Sequence, residues 1–216
     1  MKKCFPAIIA MLLGLYLGCC RPATEKNFPV VKVSLQPPPG RALAAFASGC
    51  FWCSEHIFES VAGVDSAVSG YAGGTVPNPT YELVNTETTG HAETVLVYYD
   101  PAAVTYEELV RVFFSSHDPT TPNRQGPDVG SSYRSILFYQ SPQEEDIARR
   151  VMAEFQPSFS SPIVTEFRPL TEFYRAEAYH QDYILHNPAS PYVQGVSLPR
   201  FEKFKETYKG RLKPGV

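Results

Sequence analysis

No cysteine follows Cys53 in the 216 residues, and no second Cys-x-x-Cys pair exists. A four-cysteine zinc site is therefore not written into the chain; His56 or His91 would have to join Cys50 and Cys53 through folding alone. Charge of one sign is also scarce. Nineteen Lys and Arg stand against 22 Asp and Glu, a formal net charge of −3, so nothing supplies a basic face for nucleic acid. There is no Gly-rich phosphate loop: Gly70-Tyr71-Ala72-Gly73-Gly74 misses the dinucleotide spacing and reads as a turn. No repeat period is visible. The apolar run from Pro6 to Leu17 falls short of a comfortable membrane span. An apolar content of 44% nevertheless supports a core, and twenty prolines point to a loop-rich periphery around it.

The first residues have the pattern of a targeting segment. Lys2-Lys3 forms a basic start, Pro6 to Leu17 an apolar stretch, and Gly18-Cys19 a small residue followed by cysteine. This resembles a bacterial lipoprotein cleavage site, with Tyr16 where Leu is usual. Residues 1–19 are thus expected to be a signal ending at a lipidated Cys19, and residues 20–41, with Pro37-Pro38-Pro39-Gly40, a tether. The expected location is extracytoplasmic and membrane-tethered, in the periplasm or cell envelope. An ordinary secretory signal or an uncleaved anchor are the alternatives. The domain proper is expected over residues 42–212.

Gly49-Cys50-Phe51-Trp52-Cys53 says most about chemistry. It places two thiols three residues apart around the only Trp. Leu43 to Ala47 predicts a buried strand and Ser54 to Val61 a helix, which puts Cys50 at the helix N-terminus. Unpaired amides and the helix dipole favour an anion there, and a cysteine so placed can fall from about 8.5 toward 7 or lower. The thiolate is the nucleophile, so this is the geometry of a reactive cysteine. The competing reading is a small buried apolar residue. Export adds a further consideration: structural disulfides are usual outside the cytoplasm, but Cys50 and Cys53 close too short a loop to staple a domain.

Further along, strands are predicted over Val64 to Tyr71, Ala92 to Tyr99, Tyr133 to Tyr139 and Ile163 to Phe167. Thr105-Tyr106-Glu107-Glu108 is a capping box opening a helix to about Ser116, and Ser141-Pro142 opens another to about Phe155. A last helix is expected from Leu198 to Tyr208. Helices interleaved with few strands predict an α+β two-layer sandwich with a long irregular C-terminal segment. Glu93, at the start of the clearest strand, would share a face with Val95 and Val97, where burial keeps a carboxyl protonated and able to donate. A strand-end Glu in solvent is the alternative. Tyr81, Tyr133, Asp128 and His180 are candidates of weaker pattern, each equally readable as packing, turn or surface.

Together these segments resemble the A-type peptide methionine sulfoxide reductases. The matching stretches are GCFWC at Cys50, SGYAGGTVPNPTYELV from Ser69, TGHAETVLVYYDP from Thr89, FFSSHDPTTPNRQGPDVGSSYRSILFY from Phe113, and EAYHQDY ending at Tyr183. They occur in the family's order across roughly Leu43 to Pro191. The resemblance implies a ferredoxin-like core with a mixed sheet and a basin around Cys50. Within it, Cys50 would be the nucleophile and Phe51 and Trp52 the apolar wall for the substrate methyl. Glu93 would protonate the sulfoxide oxygen, Tyr81 and Tyr133 would hydrogen-bond it, Asp128 would help to position the site, and His180 would stand behind the substrate wall. The implied reaction converts methionine sulfoxide, free or in oxidised proteins, to methionine and leaves a Cys50 sulfenic acid. No metal or organic cofactor is implied, only a thiol reductant of thioredoxin-like type, and the enzyme is expected to act as a monomer.

The chain departs from the commoner family pattern in carrying Cys53 where Gly is frequent, in lacking C-terminal recycling cysteines, and in having Ser132 where Gln is common. Either Cys53 resolves the sulfenic acid as a disulfide, or Cys53 is packing and the reductant attacks Cys50 directly. Two other function classes compete: a thioredoxin-like thiol–disulfide exchanger using Cys50 and Cys53, and a lipid-tethered binding module with structural cysteines.

Overall fold

The computed structural model describes Met1 and residues 30–216; the expected signal segment, with Cys4, Cys19 and Cys20, lies outside the described residues. In chain order the described elements are β1 (Val31–Lys32), β2 (Ala42–Ser48), α1 (Phe51–Glu59), β3 (Val64–Ala72), α2 (Tyr81–Val84), β4 (Ala92–Tyr99) and α3 (Tyr106–Ser115). They continue with β5 (Arg124–Gln125), β6 (Asp128–Val129), β7 (Ser135–Tyr139), α4 (Pro142–Phe155), β8 (Glu166–Pro169), β9 (Phe173–Arg175), α5 (Tyr183–His186) and α6 (Leu198–Thr207). A seven-stranded sheet runs β1-β9-β3-β4-β2-β7-β8, mixed because β7 and β8 alone are parallel neighbours. Its centre, β3-β4-β2-β7, carries α1 and α3 as crossovers, which is the ferredoxin-like βαββαβ arrangement expected.

β2 alternates between two apolar layers. Ala44 and Phe46 face the helices, where Phe46 stacks on Phe58 of α1 at 4.8 Å and lies 5.6 Å from Phe113 of α3. Leu43, Ala45 and Ala47 face a second cluster with Leu96, Ile136, Phe138, Leu170 and Phe173. Burial on both faces explains why the strand reads as one continuous apolar run. The helices obey their sequence signals. Thr105 caps α3 in a reciprocal capping box with Glu108, and Ser141 caps α4 ahead of Pro142.

Three expectations shift. The strand predicted from Tyr133 begins at Ser135, because Ser131–Tyr133 forms a 3-10 turn. The strand predicted from Ile163 runs Glu166–Pro169 instead, pairing with β7 from Ile136 to Tyr139. The expected tether is not free along its length. Val31 and Lys32 pair with Arg175 and Tyr174 of β9, Val33 N–H donates to the Phe173 carbonyl (2.9 Å), and Val33 and Leu35 pack on the second cluster. The chain therefore joins the sheet edge before the domain's first core strand.

Topology sets the position of the site. Both neighbours of β2 are antiparallel to it, so β4 and β7 begin where β2 ends. Side chains just after β2, at the start of β4 and just before β7 are thereby drawn to one edge of the sheet.

Thr105→Ala removes the hydroxyl that accepts from Glu108 N–H and should cost about 1 kcal/mol. Urea unfolding of the whole chain would report this as a lower midpoint with unchanged slope.

Candidate active site

Cys50 is the N-cap of α1, two residues beyond the end of β2. Gly49 before it has φ +85, and a Cβ there would collide with the Gln125 side chain, so this sharp turn admits glycine alone. The turn is tied back by Ser54, whose hydroxyl lies 2.8 Å from Ser48 Oγ and 3.2 Å from the Cys50 carbonyl.

Helix α1 does not spend its first amide on the cysteine sulfur. Phe51 N–H donates to Glu93 Oε2 at 2.9 Å. Glu93 is the second residue of β4 and is 2% exposed, on the same face as Val95 and Val97 as its alternation predicts. Burial raises its carboxyl to about 8, against the lowering effect of the Phe51 amide and with help from the charge on Asp128. The acid is therefore protonated at neutral pH, and its proton is available within the cysteine's surroundings.

The expectation of a lowered Cys50 is corrected here. Burial comes first, then the hydrogen bond and charge of Cys53 and the charge of Glu93, and together they push the Cys50 thiol well up. Cys53 moves the other way, to about 6. The hydrogen bond from Cys50 outweighs the burial that opposes it, and the Arg200 guanidinium and the Ser197 hydroxyl add to the lowering. Both cysteines are buried and free of a disulfide, and of the two it is Cys53 whose surroundings favour the charged form. One turn inside the helix, Cys53 gains polar partners that the capping position lacks.

Tyr81, Tyr133 and Asp128 gather around this pair. Tyr81 opens α2, Tyr133 ends the 3-10 turn before β7, and Asp128 opens β6. Burial raises both phenols and the Asp128 carboxyl, and the charges of Glu93, Cys50 and Asp128 act on each phenol. Phe51 and Trp52 lie side by side, ring centres 6.3 Å apart. Trp52 stacks flat on Tyr183 at 3.7 Å, meets Tyr192 edge-on at 5.7 Å, and donates its indole N–H to His180 Nδ1 at 3.0 Å. That bond fixes the proton of a neutral imidazole on Nε2. Burial lowers His180 to about 4, so it stays neutral. His180 thus acts on the apolar wall from behind, touching Phe51, Trp52 and Tyr81.

Several residues of the site had not been singled out from sequence. Glu177 accepts from the Tyr71 hydroxyl and from Tyr81 N–H, each at 2.9 Å, and so anchors α2 to the sheet; it is the first residue of the EAYHQDY stretch. The Tyr192 hydroxyl donates to Asp128 Oδ2 at 2.6 Å and reaches Cys50. Glu87 receives Ser132 N–H at 3.0 Å and Ser132 Oγ at 2.8 Å, fixing the turn that carries Tyr133. Neither His56 nor His91 joins the cysteines: His56 packs on Phe201, and His91 bonds the Gly74 amide and the Val76 carbonyl. Among the described residues, no group of three or more His, Cys, Asp or Glu could hold a metal ion.

The buried acid leaves a mark on stability. An unfolded Glu titrates near 4.3, whereas folded Glu93 holds its proton to about 8. Between those values the folded state binds the extra proton, so this group's contribution to stability falls as pH rises through the window. Glu93→Gln should therefore raise the melting temperature more at about pH 7.5 than at about pH 4.5, measured by calorimetry against wild type. Equal shifts at both pH values would mean that folding leaves the titration of Glu93 unchanged.

Comparison with known proteins agrees with this geometry. The family model described as peptide methionine sulfoxide reductase matches residues 42–212. A peptide methionine sulfoxide reductase MsrA of Thermus thermophilus is 48% identical over 172 residues, covering 80% of this chain and 98% of that protein. Among solved structures, methionine sulfoxide reductase A of Corynebacterium diphtheriae superposes with a TM-score of 0.68 at 38% identity, covering 71% of this chain and 78% of that one. Mxr1 from Saccharomyces cerevisiae in complex with Trx2 gives a TM-score of 0.50 at 29% identity, over 69% of this chain and 94% of that one. With a family match over residues 42–212 and 48% identity over the 172 residues aligned to a relative that it spans almost completely, the chain belongs to the peptide methionine sulfoxide reductase family.

Proposed function

We propose that the chain reduces the S epimer of methionine sulfoxide, free or in oxidised proteins, with Cys50 as nucleophile and Glu93 as proton donor. The observation that carries this assignment is the protonated, buried Glu93 carboxyl held on the amide next to Cys50. A sulfoxide oxygen leaves only when it is protonated, and an acid titrating near 8 supplies that proton at neutral pH. Phe51 and Trp52 hold the methyl group, Tyr81 and Tyr133 hydrogen-bond the oxygen, and Asp128 positions Tyr192 against Cys50. Cys50 attacks the substrate sulfur as Glu93 protonates the oxygen, and the Cys50 proton restores the Glu93 acid, so Cys53 keeps its charge. The hydroxyl then passes from the substrate sulfur to Cys50 Sγ as the bond between the two sulfurs breaks, giving methionine and a Cys50 sulfenic acid.

Cys53 then resolves the sulfenic acid, forming a Cys50–Cys53 disulfide and water. A thioredoxin-like dithiol reduces the disulfide; the yeast relative seen with Trx2 supports a partner of this type. No metal or organic cofactor enters the cycle. The enzyme works as an extracytoplasmic monomer tethered through a lipidated Cys19, a reading carried by Lys2-Lys3, the apolar run and Gly18-Cys19.

Three measurements test this. With dithiothreitol and each epimer supplied separately, Cys50→Ser should abolish methionine formation, while Cys53→Ser should retain the first turnover. Multiple turnovers by Cys50→Ser would remove it as nucleophile. Glu93→Gln should slow single-turnover chemistry by about 10²-fold or more; a wild-type rate would leave Glu93 with packing alone. Mass spectrometry of protein from native membranes should find Cys19 as the lipid-bearing first residue, and an unmodified Cys19 would overturn the tether.

A further inference from the structure

The mechanism above leaves two polar side chains beside Cys53 unused. Cys53 Sγ lies 3.2 Å from Ser197 Oγ, and both residues are buried. Ser197 closes a π-helical turn, Val193–Ser197, that feeds directly into α6. One turn of backbone later comes Arg200, half-buried. Its Nε donates to the Ser116 carbonyl at 2.7 Å and its Nη2 to Ser48 Oγ at 3.3 Å. Neutral oxygens thus hold the guanidinium in place, and among the described residues no carboxylate forms an ion pair with it. A cation fixed in this way leaves its charge free to act on Cys53, Asp128 and His117. Cys53 also lines a cleft of about 540 Å³ with Ser116, Gln125, Asp128, Tyr192 and Arg200.

We propose that Ser197 and Arg200 are positioning residues that hold Cys53 as a thiolate, making it the attacking sulfur in resolution and the departing sulfur in reduction. The inference rests on the reading of Cys53 as the resolving thiol. In resolution the Cys53 thiolate attacks the sulfur of the Cys50 sulfenic acid. The S–S bond forms, the S–O bond breaks, and the departing hydroxide takes the Glu93 proton to become water; the dithiol later returns it. In reduction one thiolate of a dithiol attacks Cys50 Sγ, and the electron pair of the S–S bond passes to Cys53. The second thiol of the dithiol then displaces Cys50 from the mixed disulfide, so the dithiol supplies both electrons. The sulfur with the lower thiol pKa leaves faster, and an attacking thiol works best when its pKa is near the ambient pH. Both steps are therefore helped by the same contacts.

The groups that face Cys53 define the expected pH response. Arg200 and Ser197 come from the C-terminal segment, Cys50 and Tyr192 flank the sulfur, Asp128 reaches it from β6, and Glu93 from β4. Arg200 favours the thiolate, whereas Asp128 opposes it.

The test uses reduced full-length enzyme mixed with one equivalent of methionine S-sulfoxide, quenched by alkylation, with the Cys50–Cys53 disulfide mapped over time from about pH 5 to 9. The wild-type rate should keep its plateau down to about pH 6. Arg200→Gln and Ser197→Ala should move the midpoint upward, with Arg200→Gln slowing disulfide formation roughly tenfold at the acid end. Arg200→Lys, which keeps the charge, should restore most of the shift. A second readout is thiolate absorbance in the Cys50→Ser background, where Cys53 should titrate at higher pH in each of the two neutral variants. Unshifted midpoints in both Arg200→Gln and Ser197→Ala, with the disulfide still forming, would overturn the inference and leave Cys53 as resolving thiol. If wild type forms no Cys50–Cys53 disulfide, the reading beneath the inference fails as well.

Discussion

The hydrogen bond from Phe51 N–H to Glu93 Oε2 is the constraint on which the rest of the site depends. It joins the start of α1 to the start of β4, two elements that the chain reaches more than forty residues apart. It also settles how each partner ionises. A helix N-terminus usually stabilises an anion through its unpaired amides. Here the first amide is occupied by a carboxyl too deeply buried to stay charged at neutral pH. The oxygen accepts the bond while the acid keeps its proton, so the helix start holds an acid in readiness and does not itself make Cys50 a thiolate.

Neighbouring titratable groups are then driven apart by their surroundings. Glu93 rises through desolvation, His180 falls through the same desolvation, and of the two sulfurs the one inside the helix takes the charge. Groups of ordinary reference values thereby become an acid, a neutral hydrogen-bond acceptor for Trp52 and a thiolate within one small volume. Separation of this kind lets donor and nucleophile chemistry proceed side by side at one pH. Glu177 and Glu87 stand outside this division. They fix the backbone amides beside Tyr81 and Tyr133.

The C-terminal segment, short helices joined by irregular chain, supplies the outer half of the site. Glu177, His180, Tyr183, Tyr192, Ser197 and Arg200 all come from it, and each contacts α1, its flanking turn or a residue that lies against them. Little regular structure is needed for this role. Aromatic rings on Trp52 and bonds such as the Asp182 amide to buried Glu55 (2.9 Å) hold the segment down. A chain that wraps a sheet edge can bring side chains in from several directions, which a single helix cannot do.

Local physics determined a good part of this protein. The capping residues Thr105 and Ser141, the alternation that buried Glu93 with Val95 and Val97, and the strand–turn–helix around Cys50 follow from short-range rules, and all stand where those rules put them. The helix-capping Cys50 and the buried Glu93 were legible for this reason, and motifs in family order pointed to the chemistry proposed for them. Short-range rules failed where distant chain decides. Tyr133 sits on a turn instead of a strand because Glu87, more than forty residues earlier, clamps the backbone beside it. The segment expected as a tether joins the sheet because β9 offers it an edge to pair with. The distribution of charge between Cys50 and Cys53 could not be read from their spacing. It depends first on the hydrogen bond from Cys50 and on burial, and then on Arg200 and Ser197, contributed some 145 residues downstream. Ionisation follows the dielectric and the charges around a sulfur, and those are properties of the assembled packing, whereas caps and alternation are properties of the few residues on either side.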